Sequence, residues 1–236
     1  NTTVIVTVNP TPTLTATASP TAICPGGSST LSATGGVSYT WNPGGLSGSP
    51  VTVSPLVNTT YTLIGTNALG CSATKTVAVI INPSPTITVS ASTPSICAGS
   101  SAVLTASGAV TYSWNPGGLS GTSVTVTPIV TTTYTVTGTN LTGCTGQKTI
   151  TIIVVPIPTI TANASPVAIC PGSSSTLTAT GATSYTWNPG GLSGTPVTVT
   201  PTITTTYTLI GSSGGCSTNT TVIVTVNPTP TLTATA

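Results

Sequence analysis

The side chains of this chain that could do chemistry are its six cysteines. An even number of cysteines is typical of a disulfide framework in a protein outside the cell. A thiolate metal site needs ligands clustered in the sequence, and a nucleophilic thiol needs a His base. The cysteines fall in pairs that are 46 or 47 residues apart, and the sequence has no His, so we predict disulfides and no metal site, cofactor or catalytic residue. They are Cys24, Cys71, Cys97, Cys144, Cys170 and Cys216.

The composition excludes several functions through what it lacks. There is no Asp or Glu, and Lys75 and Lys148 carry the only charged side chains. General acid-base catalysis and calcium binding need carboxylates or imidazoles, so we do not expect an enzyme. Nucleic acids and acidic membranes attract clusters of Lys or Arg, which two distant lysines do not form. The mean hydropathy is +0.44, but no apolar run reaches the roughly 20 residues that a spanning helix needs, so no membrane insertion is expected.

An internal repeat predicts the elements that position the cysteines. Residues 38–48 return almost unchanged at 111–121 and 184–194, and the three tryptophans are 73 residues apart. Each Trp follows a Tyr by two positions, which places both rings on one face of a strand. The Pro and Gly residues that follow must end that strand. With a second Tyr in each repeat, the predicted core anchors are Tyr39, Trp41, Tyr61, Tyr112, Trp114, Tyr134, Tyr185, Trp187 and Tyr207.

The period of the repeat predicts an array of three small domains. Alternating apolar residues between turn residues predict about seven short strands per repeat, and no stretch has helical spacing. Such strands favour antiparallel two-sheet sandwiches in a linear array. The predicted boundaries are 1–10 for the last strand of a preceding repeat, 11–83, 84–156 and 157–228 for the three repeats, and 229–236 for the first strand of a following repeat.

The two ends of the chain carry the same 18 residues, 1–18 and 219–236. Val4, Val6 and Val8 alternate in a way that predicts a half-buried strand over residues 1–9. Two interpretations are open. The chain is a window on a longer array with a 218-residue period, or neighbouring molecules share strands; internal repeats of this fidelity favour the first.

Two features resemble an immunoglobulin-like domain. Trp41 lies on the predicted third strand, where that fold has its buried Trp, and residues 61–63 resemble the tyrosine corner. The core disulfide of the family is replaced by aliphatic residues, near Leu31 or Ala33 and at Leu63. The resemblance therefore implies all-β, immunoglobulin-like sandwiches in which the cysteines have a different role.

The sequence also resembles the tandem Ig-like and PKD-like repeats of giant surface adhesins or fibres from gliding, type IX-secreting bacteria. Where the PKD signature has acidic residues after its Trp, this chain has residues 42–45, Asn-Pro-Gly-Gly. The resemblance implies an exported bacterial protein at the cell surface or outside the cell. The matching sequence motifs recur in every repeat. In the first repeat they are Ile23-Cys24-Pro25-Gly26, Ser29-Thr30-Leu31, Tyr39-Thr40-Trp41-Asn42-Pro43-Gly44, Thr59-Thr60-Tyr61-Thr62-Leu63 and Gly70-Cys71.

The implied topology bears on which cysteines can pair. The first Cys of a repeat would lie at the C-terminal end of a sandwich and the second at the N-terminal end, roughly 20 to 26 Å apart. A disulfide needs Cα atoms within about 7 Å, whereas the ends of successive domains face each other in a head-to-tail array. We therefore predict inter-domain bonds from Cys24 to Cys144 and from Cys97 to Cys216, with Cys71 and Cys170 continuing the series into preceding and following domains. Pairing within a repeat is the alternative.

Together these features predict a structural repeat module of an extracellular bacterial filament, sheath or giant surface adhesin. An uncharged surface lacks the repulsion that keeps proteins apart, so the expected partners are neighbouring copies of itself. The alternative is a Thr-rich module that binds glycans or ice, because a flat ladder of hydroxyls can order saccharides or water. Thr-rich runs at 13–17 and 202–208 motivate it, and the twist of sandwich sheets argues against it.

Overall fold

The structure of the chain is a computed structural model that describes residues 2–230. No helix occurs among those residues, which confirms the predicted all-β class. Accordingly, the described part of the chain contains no helix able to cross a membrane. The strand predicted for residues 229–236 falls mostly on residues 231–236, which lie outside the described part.

Three sets of eight strands follow one another along the chain. The first set is β1 (Thr15–Ser19), β2 (Ala22–Ile23), β3 (Ser29–Thr34), β4 (Ser38–Asn42), β5 (Leu46–Ser47), β6 (Val51–Val53), β7 (Thr59–Thr66) and β8 (Ser72–Ile81). The second is β9 (Thr88–Ala91), β10 (Ser95–Cys97), β11 (Ala102–Ser107), β12 (Thr111–Asn115), β13 (Leu119–Ser120), β14 (Ser123–Val126), β15 (Thr132–Thr139) and β16 (Thr145–Val155). The third is β17 (Thr161–Ser165), β18 (Ala168–Ile169), β19 (Ser175–Thr180), β20 (Ser184–Asn188), β21 (Leu192–Ser193), β22 (Val197–Val199), β23 (Thr205–Ser213) and β24 (Cys216–Val226).

Each outer set forms one three-stranded and one five-stranded sheet. In the first set the strand orders are β1-β3-β6 and β2-β8-β7-β4-β5, and the third set repeats them as β17-β19-β22 and β18-β24-β23-β20-β21. Neighbouring strands are antiparallel except that β2 runs parallel to β8, and β18 to β24. This division of strands between two sheets is the immunoglobulin-like one.

The chain divides into two compact units, and the middle set contributes to both. The first unit comprises residues up to 89, 106–122 and 135–148, and the second comprises 90–105, 123–134 and the chain from 149 on. Within the first unit β12 pairs with β13 and β15. Within the second unit β10 runs parallel to β16, and β11 pairs with β14. The predicted division into three domains stays a prediction.

The core of the first set joins its two sheets. Leu31 on β3 packs in one cluster with Trp41 and Leu63, which lie on β4 and β7, and all three side chains are completely buried. Leu31 and Leu63 stand on the two strands that carry the core disulfide in antibody domains. The third set repeats this cluster with Leu177, Trp187 and Leu209. Period-two alternation placed these residues on the inner face because successive strand residues point to opposite sides.

Residues 2–9 differ from the expectation of a strand. They have no strand structure, and the side chains of Val4, Val6 and Val8 are 83% to 87% exposed. Alternation describes which face a strand would bury, but a strand also needs a neighbour that takes up its backbone hydrogen bonds. In the described part of the chain these residues have no such neighbour.

Candidate functional site

The candidate functional site consists of two disulfides together with the strand ends and hairpins that hold them. The first bond joins Cys24 to Cys144, with an S–S distance of 2.03 Å and a Cα–Cα distance of 5.4 Å. The second joins Cys97 to Cys216, with corresponding distances of 2.04 and 5.6 Å. The structure thus pairs the same cysteines that the sequence analysis pairs, and bonds within a repeat are not formed. That each bond crosses a domain junction stays a prediction, as do the domain boundaries.

At the first disulfide, the end of strand β8 lies beside both cysteines and contacts the chain next to each of them. Strand β2 runs parallel to β8, and the N–H of Asn82 donates to the carbonyl of Ile23 over 2.8 Å. This bond places Asn82 beside Cys24, the next residue after β2. On the other side, the carbonyl oxygen of Asn82 lies 3.6 Å from the sulfur of Cys144. The short parallel strand β2 therefore determines where Cys24 meets its partner.

Asn140 holds the hairpin that presents Cys144. Its Oδ1 accepts hydrogen bonds from the N–H groups of Thr142 and Cys144 over 3.0 and 2.9 Å. Its Nδ2 donates to the carbonyl of Pro83 over 2.9 Å. An Asn side chain that bonds its own turn in this way is a common means of stabilising a turn. Because the same amide also binds the residue after Asn82, it fixes the hairpin relative to the chain that passes it.

The second disulfide has the same arrangement with a different hairpin. Strand β10 runs parallel to β16, and the N–H of Ala98 donates to the carbonyl of Val155 over 3.0 Å. That carbonyl oxygen lies 3.8 Å from the sulfur of Cys216. The turn here is made by Gly214 and Gly215, with φ values of 57° and 85°. Two residues of positive φ form the tight hairpin turn that glycine permits, so no Asn is needed.

The remaining cysteines, Cys71 and Cys170, are free. The sulfur of Cys71 lies 3.7 Å from the carbonyl oxygen of Asn9, and Asn67 binds the N–H of Cys71 over 3.0 Å. Cys170 follows β18, which runs parallel to β24 just as β2 runs parallel to β8. Cys71 is therefore held in its hairpin as the bonded Cys144 is, and Cys170 follows its short parallel strand as the bonded Cys24 does.

The three tryptophans have a hydrogen bond that the sequence analysis did not find. The indole N–H of Trp41 donates to the carbonyl of Gly48 over 3.0 Å, and Trp114 and Trp187 make the same bond to Gly121 and Gly194. The glycine-rich turn was interpreted only as the end of a strand. The constant spacing of seven residues between Trp and Gly in all three copies was the signal that could have found it. The turn thus also satisfies the only polar atom of a fully buried ring.

The tyrosines before the tryptophans bind nearby backbone. The hydroxyl of Tyr39 donates to the carbonyl of Gly36 over 2.7 Å and accepts from its N–H over 2.9 Å. Tyr112 and Tyr185 make the same two bonds to Ala109 and Ala182. The sequence likens Tyr61 on β7 to a tyrosine corner, whereas these bonds are made by Tyr39 on β4 and by its equivalents.

The other three tyrosines predict how stability depends on pH. Burial raises the pKa of Tyr61, Tyr134 and Tyr207 above the usual value of 10.0. A raised pKa in the folded state means that folding favours the neutral phenol. This contribution is complete below pH 10 and is lost as the pH rises through the raised pKa. With no Asp, Glu or His side chain, the chain has no comparable loss in acid.

We therefore expect a thermal unfolding midpoint that is nearly constant from about pH 3 to pH 9, apart from small effects of the chain termini, and that falls above pH 10. Circular dichroism melts at closely spaced pH values measure it. Tyr61→Phe is the matched variant, because it keeps the buried ring and should weaken the alkaline fall. A loss of stability between pH 4 and pH 7 would contradict this account.

Among the described residues, no cluster of three His, Cys, Asp or Glu side chains could hold a metal ion. Among known proteins, only solved structures show a similarity to this chain. No protein-family model matches the sequence, and no curated protein matches it.

Several solved structures are similar to this chain. One is described as a 1.5-MDa bacterial ice-binding adhesin, with 16% identity over 94% of this chain and 99% of that chain and a TM-score of 0.33. A second is a Ca2+-stabilized adhesin of an Antarctic bacterium, with 16% identity over 95% of this chain and 75% of that chain and a TM-score of 0.38. A third is the ICAM-5 D1–D4 ectodomain fragment, with 13% identity over 91% and 76% and a TM-score of 0.44. At these identities and TM-scores the similarity carries no conclusion about this chain, and the class of protein that its own strands define is all-β.

Proposed function

We propose that this chain is a structural repeat module of an extracellular bacterial filament, sheath or giant surface adhesin. In this proposal the repeats at 11–83, 84–156 and 157–228 are tandem immunoglobulin-like sandwiches, and each disulfide staples two of them. The observation that supports it most strongly is that the bonded cysteines are 120 and 119 residues apart, which is more than one repeat. Bonds of this kind limit how far the chain can be drawn out by force.

Small domains of this size need such bonds. A 70-residue sandwich has a core that contributes only a few kcal/mol of net stability, and natural small domains compensate with disulfides. Disulfides persist in oxidising surroundings outside the cell. The chain also lacks the carboxylates and imidazoles that catalysis usually requires, so its side chains are suited to packing and covalent cross-linking.

Exposed aliphatic residues support association between neighbouring copies. The loop between the sixth and seventh strand of each set exposes such side chains at 67% to 83% of their surface, and no charged residue lies in these loops. Apolar surface that recurs at a constant spacing suits contacts between parallel copies of an array. These residues are Leu56, Val57, Ile129, Val130 and Ile203.

Pulling on single molecules tests the load-bearing role. With both disulfides intact, the shortest covalent path between the ends runs through residues 1–24, 97–144 and 216–236, about 90 residues, or roughly 300 Å when fully extended. After reduction the whole chain extends to roughly 800 Å. We expect the oxidised molecule to stop near the shorter length and the reduced molecule to reach the longer one. Equal lengths in both states would contradict the proposal.

The alternative function is a module that binds glycans or ice. Paired hydroxyls support it, because Thr15 and Thr34, Thr88 and Ser107, and Thr161 and Thr180 bond across equivalent strands at 2.5 to 2.6 Å. Such pairs form a regular surface, but they also use part of their hydrogen-bonding capacity on each other. Glycan arrays and ice-recrystallisation assays separate this function from the structural one.

A further inference from the structure

We propose that Cys71 and Cys170 form a third disulfide between two copies of this chain, so that the copies are joined head to tail. The inference rests on the proposed structural role and names its partner, a second copy of the chain. Both thiols are free in the structure, and at least part of each is exposed. The bonded cysteines of the same chain provide a direct comparison for each of them.

Cys71 lies in the same surroundings as Cys144, which is bonded. Its sulfur is 3.7 Å from the Asn9 carbonyl, where Cys144 is 3.6 Å from the Asn82 carbonyl. Asn67 donates to the Pro10 carbonyl over 2.9 Å, the distance that Asn140 has to Pro83. The hairpin of Cys71 therefore holds Asn9 and Pro10 in the same way that the hairpin of Cys144 holds Asn82 and Pro83. Among the described residues, no cysteine lies beside Asn9 in the way that Cys24 lies beside Asn82.

Cys170 has the complementary part. The N–H of Asn227 donates to the Ile169 carbonyl over 2.9 Å, as Asn82 donates to Ile23 over 2.8 Å. The turn after Cys170 is closed by the N–H of Ser173 over 3.0 Å, as Ser100 closes the turn after Cys97 over 2.9 Å. Cys170 therefore has its strand end in place, and no hairpin among the described residues brings a cysteine to it as the hairpin of Cys144 does to Cys24. Cys71 thus supplies the hairpin, and Cys170 supplies the short parallel strand with its neighbouring strand end.

Only one chain segment can lie beside such a bonded pair in the position that Asn82 has in the first disulfide, and each copy brings one such segment. Residues 2–9 and 220–227 have the same sequence, so either segment would present the same side chains beside Cys71. We assign the place to Asn227, because β24 pairs with β23 over nine positions and also with β18. Residues 2–9 are exposed and belong to no strand. In the joined state Asn227 of one copy replaces Asn9 beside Cys71 of the next.

The bond needs an oxidant. Two thiols lose two electrons and two protons when the sulfur–sulfur bond forms, and a small disulfide such as oxidised glutathione accepts them and becomes two molecules of reduced glutathione. Exchange through a mixed disulfide requires an accessible thiol. Cys170 is exposed and Cys71 half-exposed, so both meet this condition.

Two single variants test the pairing when they are mixed. C71S keeps Cys170, and C170S keeps Cys71; neither change touches the two existing bonds. In a glutathione buffer we expect each variant alone to remain monomeric, the mixture to form disulfide-linked dimers and nothing longer, and the unchanged chain to form a ladder on non-reducing electrophoresis. Mass spectrometry of the dimer should contain a Cys71–Cys170 peptide. Dimers from either variant alone, or none in the mixture, would overturn the proposal.

The strand assignment has its own variant. Removing residues 1–9 takes away the competing strand end and leaves every strand of the structure in place, since β1 begins at Thr15. We expect this variant to form the ladder several-fold faster than the full chain. A slower ladder would overturn the assignment to Asn227. Failure of the cross-linking while the pulling experiment shows the shorter oxidised length would remove this inference and leave the structural role.

Discussion

Cys24→Ser is expected to lower the free energy of unfolding by about 3 to 5 kcal/mol. The bond from Cys24 to Cys144 closes a loop of 120 residues, and the loss of conformational freedom in the unfolded chain grows with the length of the loop. A loop of this size corresponds to the upper part of that range. Since the core of a small sandwich contributes little net stability, the loss is a large fraction of the total.

Cys71→Ser is the matched control for this experiment. Cys71 occupies the same kind of hairpin as Cys144, but its thiol is free. The substitution exchanges sulfur for oxygen at a partly exposed position, so we expect a change of less than about 0.5 kcal/mol. Urea denaturation under non-reducing conditions, followed by circular dichroism, measures both variants. Similar losses for the two would show that the Cys24 bond does not stabilise the fold.

The second large effect is expected from Trp41→Ala, with a loss of about 3 to 5 kcal/mol. The ring is completely buried and lies in one cluster with Leu31, Leu63 and Val79 from both sheets. Its removal leaves a cavity the size of an indole, and it also leaves the carbonyl of Gly48 without its donor. Both effects weaken the packing that joins the two sheets.

Two comparisons make the Trp41 result specific. Trp41→Phe keeps a ring but not the N–H, so its loss should be clearly smaller than that of Trp41→Ala. Val37→Ala removes an aliphatic side chain that is 72% exposed and should change stability by less than about 0.5 kcal/mol. Chemical denaturation of the three variants measures the order. An alanine variant as stable as the original chain would show that Trp41 is not a core anchor.

The sequence predicted the strands and cores well because both depend on local alternation. Trp41 was predicted as a core anchor from period two, and Leu31 and Leu63 were matched to core positions of an immunoglobulin-like domain; all three are buried. The two-residue strands β2 and β5 were missed. A strand of two residues has no period to recognise, and it exists only because a longer strand lies beside it.

The sequence by itself determined the all-β class, the threefold repeat, the inward residues and the absence of charged chemistry. These follow from residue type and spacing, which act over a few positions of the chain. Only the tertiary structure decided what depends on distant partners. It placed Asn82 beside both Cys24 and Cys144, made the carbonyl of Gly48 the acceptor for the Trp41 indole, and left residues 2–9 without a strand. The physical reason is that a hydrogen bond or a disulfide forms only when two groups lie close together in space. The local pattern of residues along the chain describes each group but not its distance from a partner that is far away in the sequence.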